Sequence, residues 1–261
     1  MKIAVTGKGG VGKTTLSSVL ARLYAEEGRR VLAADVDPDA NFGLALGFSE
    51  RELKKLTPIS EMGAMIAERT GASKENFGKF FKLNPKVDDI PDKFSIEKNG
   101  IKLLVMGTVE AGGTGCVCPE HVMLKRVVSN LIIGRDEVVI LDMEAGLEHL
   151  GRGTADFVDR FIVVIEPGER SIQTYKKVKQ LSADLGVSKV SVVANKVRGE
   201  DDREFLRERI PAGELLGFIS YSEDVICADR RGVSPYDVGG KAVDEIRIIK
   251  SQLDSENQTS I

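Results

Sequence analysis

The segment Gly7-Lys8-Gly9-Gly10-Val11-Gly12-Lys13-Thr14-Thr15 lies between an apolar run at 2–6 and a helical pattern at 16–27, which leaves few ways to fold. Its glycines let backbone N–H groups turn inward around an anion, and the following helix offers its positive end to the same point. Lys13 is spaced to reach β- and γ-phosphates, and the Thr14 hydroxyl to ligate Mg²⁺. The unit predicts a bound nucleoside triphosphate, with Gly7, Gly9, Gly10, Val11, Gly12, Lys13, Thr14 and Thr15 around it. A second lysine, Lys8, sits near the start of the loop, whose own geometry has no obvious need for it.

Apolar, β-branched runs recur at 2–6, 30–36, 101–106, 137–143, 160–165, 189–194 and 215–221. Helical patterns at 15–27, 120–133, 147–156, 171–185, 201–209 and 241–253 separate most of them. Strands apolar on both faces that alternate with helices predict an α/β fold, a mostly parallel sheet covered on both sides. The chain reads as one domain, 1–261. Residues 49–100 break the rhythm as a helical insertion after the second strand, with short helices near 50–56, 60–69 and 74–81. Phe77, Phe80, Phe81 and Leu83 are read there as core, and 254–261 as a flexible polar tail.

At 261 residues and 42% hydrophobic the chain can bury an ample core. A net charge of -3 supplies no broad basic field, so nucleic acid is not an expected partner. No apolar run approaches the roughly 18 residues of a membrane span, and the chain starts directly in a strand, so a cytoplasmic protein without membrane attachment is expected. Three cysteines, two of them one residue apart, make no secreted disulfide framework.

Beyond the loop, Asp35-Val36-Asp37-Pro38-Asp39-Ala40-Asn41 follows the second strand, at the carboxyl end of the sheet where such folds bind ligands. Val138-Val139-Ile140-Leu141-Asp142 is a buried strand ending in an acid placed to hold Mg²⁺, the Walker B arrangement. Met143-Glu144-Ala145-Gly146-Leu147-Glu148-His149 follows at once. Glu144 there is either a water or metal contact or a carboxylate complementing a helix dipole.

Gly115-Cys116-Val117-Cys118-Pro119 is a second chemical feature. Pro119 suits the first position of a helix, which puts Cys118 at the cap, where the positive helix end favours thiolate. Two thiolates so close can grip one ion from one side without closing a four-coordinate site, whereas a two-fold dimer supplies four sulfurs. Zn²⁺, Ni²⁺, Cu⁺ and an Fe–S cluster all suit such ligands. His121 is read mainly as a packing residue and Cys227 as core.

The lysine-bearing loop resembles the P-loop ATPases with a deviant Walker A motif, which include MinD, ParA, the nitrogenase iron protein and the nickel-insertion ATPases. The resemblance implies a dimer in which Lys8 crosses to the partner's phosphates and Asp37 orients and deprotonates the attacking water. It implies that 143–149 senses the γ-phosphate, that Asn195 meets the polar edge of adenine, and that 218–221 lines the base pocket. Asp35 and Asp39 are left as supporting, metal-side or solvated turn residues. At Asn41 the iron protein carries aspartate. The C-x-C pair, D-P-D-A-N and M-E-A-G-x-E-H resemble the CooC-type nickel-insertion ATPases of carbon monoxide dehydrogenase over nearly the whole chain. That likeness implies ATP and ADP with Mg²⁺, a homodimer, and Ni²⁺ or Zn²⁺ shared at Cys116 and Cys118. The recipient is then carbon monoxide dehydrogenase, or acetyl-CoA synthase for a close paralogue. A MinD/ParA-like positioning protein and an iron-protein-like [4Fe–4S] reductase are the alternatives.

Overall fold

Strand β1, Lys2–Thr6, lies at the centre of an eight-stranded sheet ordered β3-β4-β2-β5-β1-β6-β7-β8. The computed structural model describes residues 1–37, 39–72, 82–107, 119–133, 137–144, 158–184, 187 and 189–258. Strands β2 (Val31–Asp35), β4 (Ile101–Val105), β5 (Val138–Asp142), β6 (Arg160–Ile165), β7 (Val190–Val197) and β8 (Leu215–Ser220) all run parallel to β1. β2, β5 and β6 are buried at every residue, as continuous apolar runs require when helices cover both faces. The α/β class expected of the alternating pattern is therefore what the chain adopts.

One short strand lies within the 49–100 segment expected to be helical. β3, Ile96–Lys98, pairs antiparallel with β4 at the sheet edge through Asn99-Gly100, both at positive φ (53° and 75°). Asn-Gly between two apolar-containing runs is a strong hairpin signal, because a type I′ turn matches the right-handed strand twist.

Helix α1, Lys13–Glu26, covers one face and packs Leu16, Leu20 and Tyr24 into the core beside Ile246 and Leu253 of the last helix. On the opposite face lies the other apolar layer, which includes Leu104, Leu141, Phe161 and Tyr175. The region after β2 holds α2 (Phe42–Ala45), α3 (Glu50–Leu53), a 3₁₀ turn (Ile59–Glu61), α4 (Gly63–Thr70) and α5 (Ile90–Phe94). Ile59, Ile66, Val87 and Ile90 anchor this region in the core. Leu83, expected in the core, is 68% exposed. The short helix expected at 74–81, with Phe77, Phe80 and Phe81, lies outside the described residues.

The remaining helices are α6 (Pro119–Ile133), α7 (Glu169–Asp184), α8 (Glu200–Arg209), α9 (Glu223–Arg231), α10 (Pro235–Val238) and α11 (Lys241–Gln258). Val243, Ile246, Ile249 and Leu253 of α11 are buried in the core. Helix α11 continues to Gln258, past position 254 where the sequence pattern places the start of the tail. Tyr24 Oη donates to Asp254 at 2.9 Å, the buried Lys250 bonds both Glu27 and Asp254, and Arg160 pairs with Glu256. These side-chain contacts hold a polar segment whose composition reads as loose.

β1 is flanked by β5 on one side and β6 on the other, so the connections diverge around its carboxyl end. Such a switch point opens a crevice at the strand tips, and the glycine loop sits there.

Candidate functional site

The loop between β1 and α1 is held by its neighbours. Gly12, immediately before α1, has φ +96°, and a Cβ there would lie 2.0 Å from Asn195 Nδ2, so both conformation and space require glycine. Lys13 is 6% exposed, whereas Lys8 is exposed. Lys13 Nζ lies 3.3 Å from Asp37 Oδ2, bringing together the lysine and the acid singled out from sequence. Thr14 Oγ1 donates to Asp142 Oδ2 at 2.6 Å, and Ser17 Oγ to Asp142 Oδ1 at 3.2 Å. Ser17 was not anticipated, although its place one helical turn after Thr14 puts both on the same face of α1. The buried Thr6 hydroxyl donates to the Glu144 carbonyl at 2.5 Å and ties the start of 143–149 to β1, while Glu144 itself is exposed.

Asp35 and Asp142 are register partners on adjacent strands, so two carboxylates meet at the sheet's carboxyl end. Among the options left open for Asp35, a solvated turn residue is excluded, since it is 1% exposed. It accepts the Phe42 N–H at 2.9 Å and the Asp37 N–H at 3.3 Å, shaping the turn that carries Asp37. Asp39 is exposed, and its N–H donates to Asp37 Oδ1 at 3.1 Å. Asn41 is exposed at the mouth of a cavity.

Burial, and then the charge of Asp142, push the Asp35 carboxyl up to about 8 against the pull of its two N–H bonds. Asp142 is pushed up to about 6, chiefly by burial, while Thr14, Lys13 and Ser17 pull it down. Folded Asp35 thus holds its proton more tightly than the unfolded chain does. Its stabilisation is complete below the unfolded value of about 4 and is lost as pH rises through about 8. Without Mg²⁺ and nucleotide, stability should fall by up to ~1.4 kcal/mol per pH unit across that window from this group. Urea melts at several pH values should show a flatter profile for Asp35→Asn; an unchanged slope would remove Asp35 as the proton carrier.

A cavity of about 840 Å³ opens beside the loop, lined by Gly10, Gly12, Thr14, Thr15, Asn195 and the 219–222 turn, among others. Asn195 is buried two residues before the end of β7, where its Nδ2 donates to the Val11 carbonyl and its Oδ1 accepts the Lys196 N–H, each at 2.8 Å. One N–H and one lone pair of the amide remain for a ligand. Glu245 accepts both the N–H and the hydroxyl of Ser220, at 2.6 and 2.8 Å, fixing the turn that the sequence reading assigned to the pocket wall. The Arg198 guanidinium lies 4.6 Å from the centre of the Tyr221 ring.

Cys116, Cys118 and His149 lie outside the described residues, as does the helix expected at 147–156. Around the pair, α6 begins at Pro119, the position expected of it. On the other side Met106, just past β4, donates its N–H to the Asp35 carbonyl at 2.9 Å. Cys227, expected in the core, is exposed on α9. Among the described residues no group of three or more His, Cys, Asp or Glu side chains is disposed to hold a metal ion. No described helix is long and apolar enough to cross a membrane.

A glycine loop at the switch point, an acid-tipped strand beside it and a second acid against the loop lysine define a P-loop ATPase. The chain belongs to the CobQ/CobB/MinD/ParA nucleotide binding domain family, whose profile matches residues 2–236. It is 47% identical over 253 residues to the carbon monoxide dehydrogenase accessory protein CooC of Rhodospirillum rubrum, covering 97% of this chain and 96% of that one. It is 48% identical over 252 residues to an uncharacterised ATP-binding protein of Methanocaldococcus jannaschii, covering 95% and 96%. Among solved structures, a chain of the Aquifex aeolicus MinC:MinD cell division protein complex superposes with a TM-score of 0.69 at 18% identity, covering 98% of this chain and 96% of that one.

Proposed function

We propose that the chain is an ATP-dependent, dimerising metallochaperone that carries Ni²⁺ or Zn²⁺ at Cys116 and Cys118 and assists nickel insertion into carbon monoxide dehydrogenase. The 47% identity to CooC over nearly the full length of both chains supports this reading. The cytoplasm is its expected setting. The backbone bond from Met106 to Asp35 supports a link between the two functions, since it joins the strand leading toward the cysteines to the strand leading to Asp37. The positioning alternative loses support because the apolar stripe of α11 is buried in the core and not free for a membrane.

In this reading Gly7, Gly9, Gly10, Val11, Gly12, Lys13, Thr14 and Thr15 bind the phosphates. The residues present fit a Mg²⁺ ion, because the Thr14 hydroxyl and the buried Asp142 carboxylate lie 2.6 Å apart at the mouth of the loop. They would hold it, and it would neutralise phosphate charge there. Lys13 binds phosphate oxygens as a fixed cation, and Asp37 accepts the proton of the attacking water. Asn195 uses its remaining amide valences on the adenine edge. Lys8 acts in the partner subunit's site.

The test is metal content and molar mass of protein purified without oxygen, with and without ATP, for the native chain and the Cys116→Ser/Cys118→Ser variant. About half a metal ion per chain in a dimer is expected, lost in the variant while ATP binding survives. Roughly four irons with sulfide per dimer would replace this reading with a reductase. Loss of metal and ATP binding together would make the pair structural.

A further inference from the structure

Asn195 and Lys196 are consecutive, yet both reach the same loop. Successive side chains of a regular strand point to opposite faces, so a straight β7 would send one of them away. The sheet breaks its rule at this spot. Ala194 pairs with Phe218 and Val197 with Ser220, so three steps along β7 face two along β8, which is a bulge with one extra residue. Lys196 sits in it at φ +59°, a left-handed conformation adopted by only two non-glycine residues among those described. That conformation is unfavourable for lysine and persists where surrounding contacts demand it.

The contacts are specific. Lys196 Nζ donates to the Gly10 carbonyl and to Glu166 Oε1, each at 2.6 Å. Asn195 Nδ2 donates to the next carbonyl along, that of Val11. Two adjacent peptides of the loop are therefore held by their oxygens. A trans peptide is planar with its N–H opposite its C=O, so pinning the Gly10 and Val11 carbonyls also sets the directions of the Val11 and Gly12 N–H groups. Glu166, one residue past β6, holds the ammonium from the other side, so the pair bridges three adjacent strand ends.

We infer that Asn195 and Lys196 template the phosphate loop, and that Lys196 is a positioning residue for nucleotide binding. The bulge turns its side chain to the Gly10 carbonyl, at a cost in backbone strain. This rests on the reading of the glycine loop as the phosphate cradle.

Glycine at 196 removes the ammonium and relieves the strain together, which separates a structural role from a positioning one. Three variants, Lys196→Gly, Lys196→Arg and Lys13→Ala, would be compared with the native chain by calorimetry with MgADP, steady-state ATP hydrolysis and thermal melting. Lys196→Gly is expected to melt at or above the native temperature. Its MgADP affinity should fall about tenfold and its KM for ATP rise by about the same factor, with kcat changed less than about threefold. Lys196→Arg should restore most of the affinity. Native affinity in Lys196→Gly overturns the inference, and so does a loss of affinity that tracks a lowered melting temperature and is not rescued by arginine. Lys13→Ala should lose MgADP binding. If it binds as the native chain does, the cradle reading falls and the inference with it. If Lys13→Ala fails to bind while Lys196→Gly binds normally, the inference alone falls.

Discussion

Replacing Lys8 by alanine is expected to lower ATP turnover by roughly 10²–10³-fold, the range for removing one charge-stabilising donor, while nucleotide affinity stays within about threefold of native. The two loop lysines have opposite dispositions. Lys13 is buried and paired with Asp37, whereas Lys8 projects from the exposed part of the loop. A cation facing outward contributes little to binding phosphate in its own subunit, since solvent screens it. Brought across a two-fold interface it would enter a drier site and stabilise charge building on the transferring phosphoryl group. The affinity and the rate should therefore separate. Steady-state hydrolysis and MgADP calorimetry on Lys8→Ala, with molar mass measured in ATP, would detect this. Native turnover in the variant would eliminate a role in the partner's site.

Asp37→Ala should likewise lose roughly 10²–10⁴-fold in hydrolysis, the range for removing a general base. Binding should move the other way. Asp37 neutralises Lys13 at 3.3 Å, so removing the acid leaves that ammonium free for phosphate, and ATP affinity should hold or improve. A variant that binds ATP but does not hydrolyse it should accumulate as the ATP-bound dimer. Rapid mixing for the chemical step and light scattering for mass would report both effects. Ordinary hydrolysis by Asp37→Ala would shift the catalytic role to another acid, and the burial of Asp35 in backbone hydrogen bonds leaves it poorly placed to receive that role.

The site was legible in the sequence where it is local. The glycine spacing, Lys13, Thr14 and the acid closing the strand at Asp142 are short patterns whose geometry follows from a strand, a loop and a helix in succession. The α6 start at Pro119 was legible for the same reason, and the Asn99-Gly100 hairpin carries a turn signal that is equally local. Leu83 and Cys227 went the other way. Apolar character marks a residue as able to be buried, while its actual exposure depends on which neighbours arrive.

What the sequence by itself determined is the fold class and the presence of a phosphate-binding loop, because strands apolar on both faces that alternate with helices require a parallel sheet covered by helices, and the loop motif is contiguous. Only the tertiary structure decided that Asp35 faces Asp142, that Ser17 joins Thr14 on that acid, and that a bulge in β7 turns Lys196 onto the Gly10 carbonyl. Each of these depends on strand order, register and burial. Those are set by the packing of segments far apart in the chain, and no local spacing encodes them.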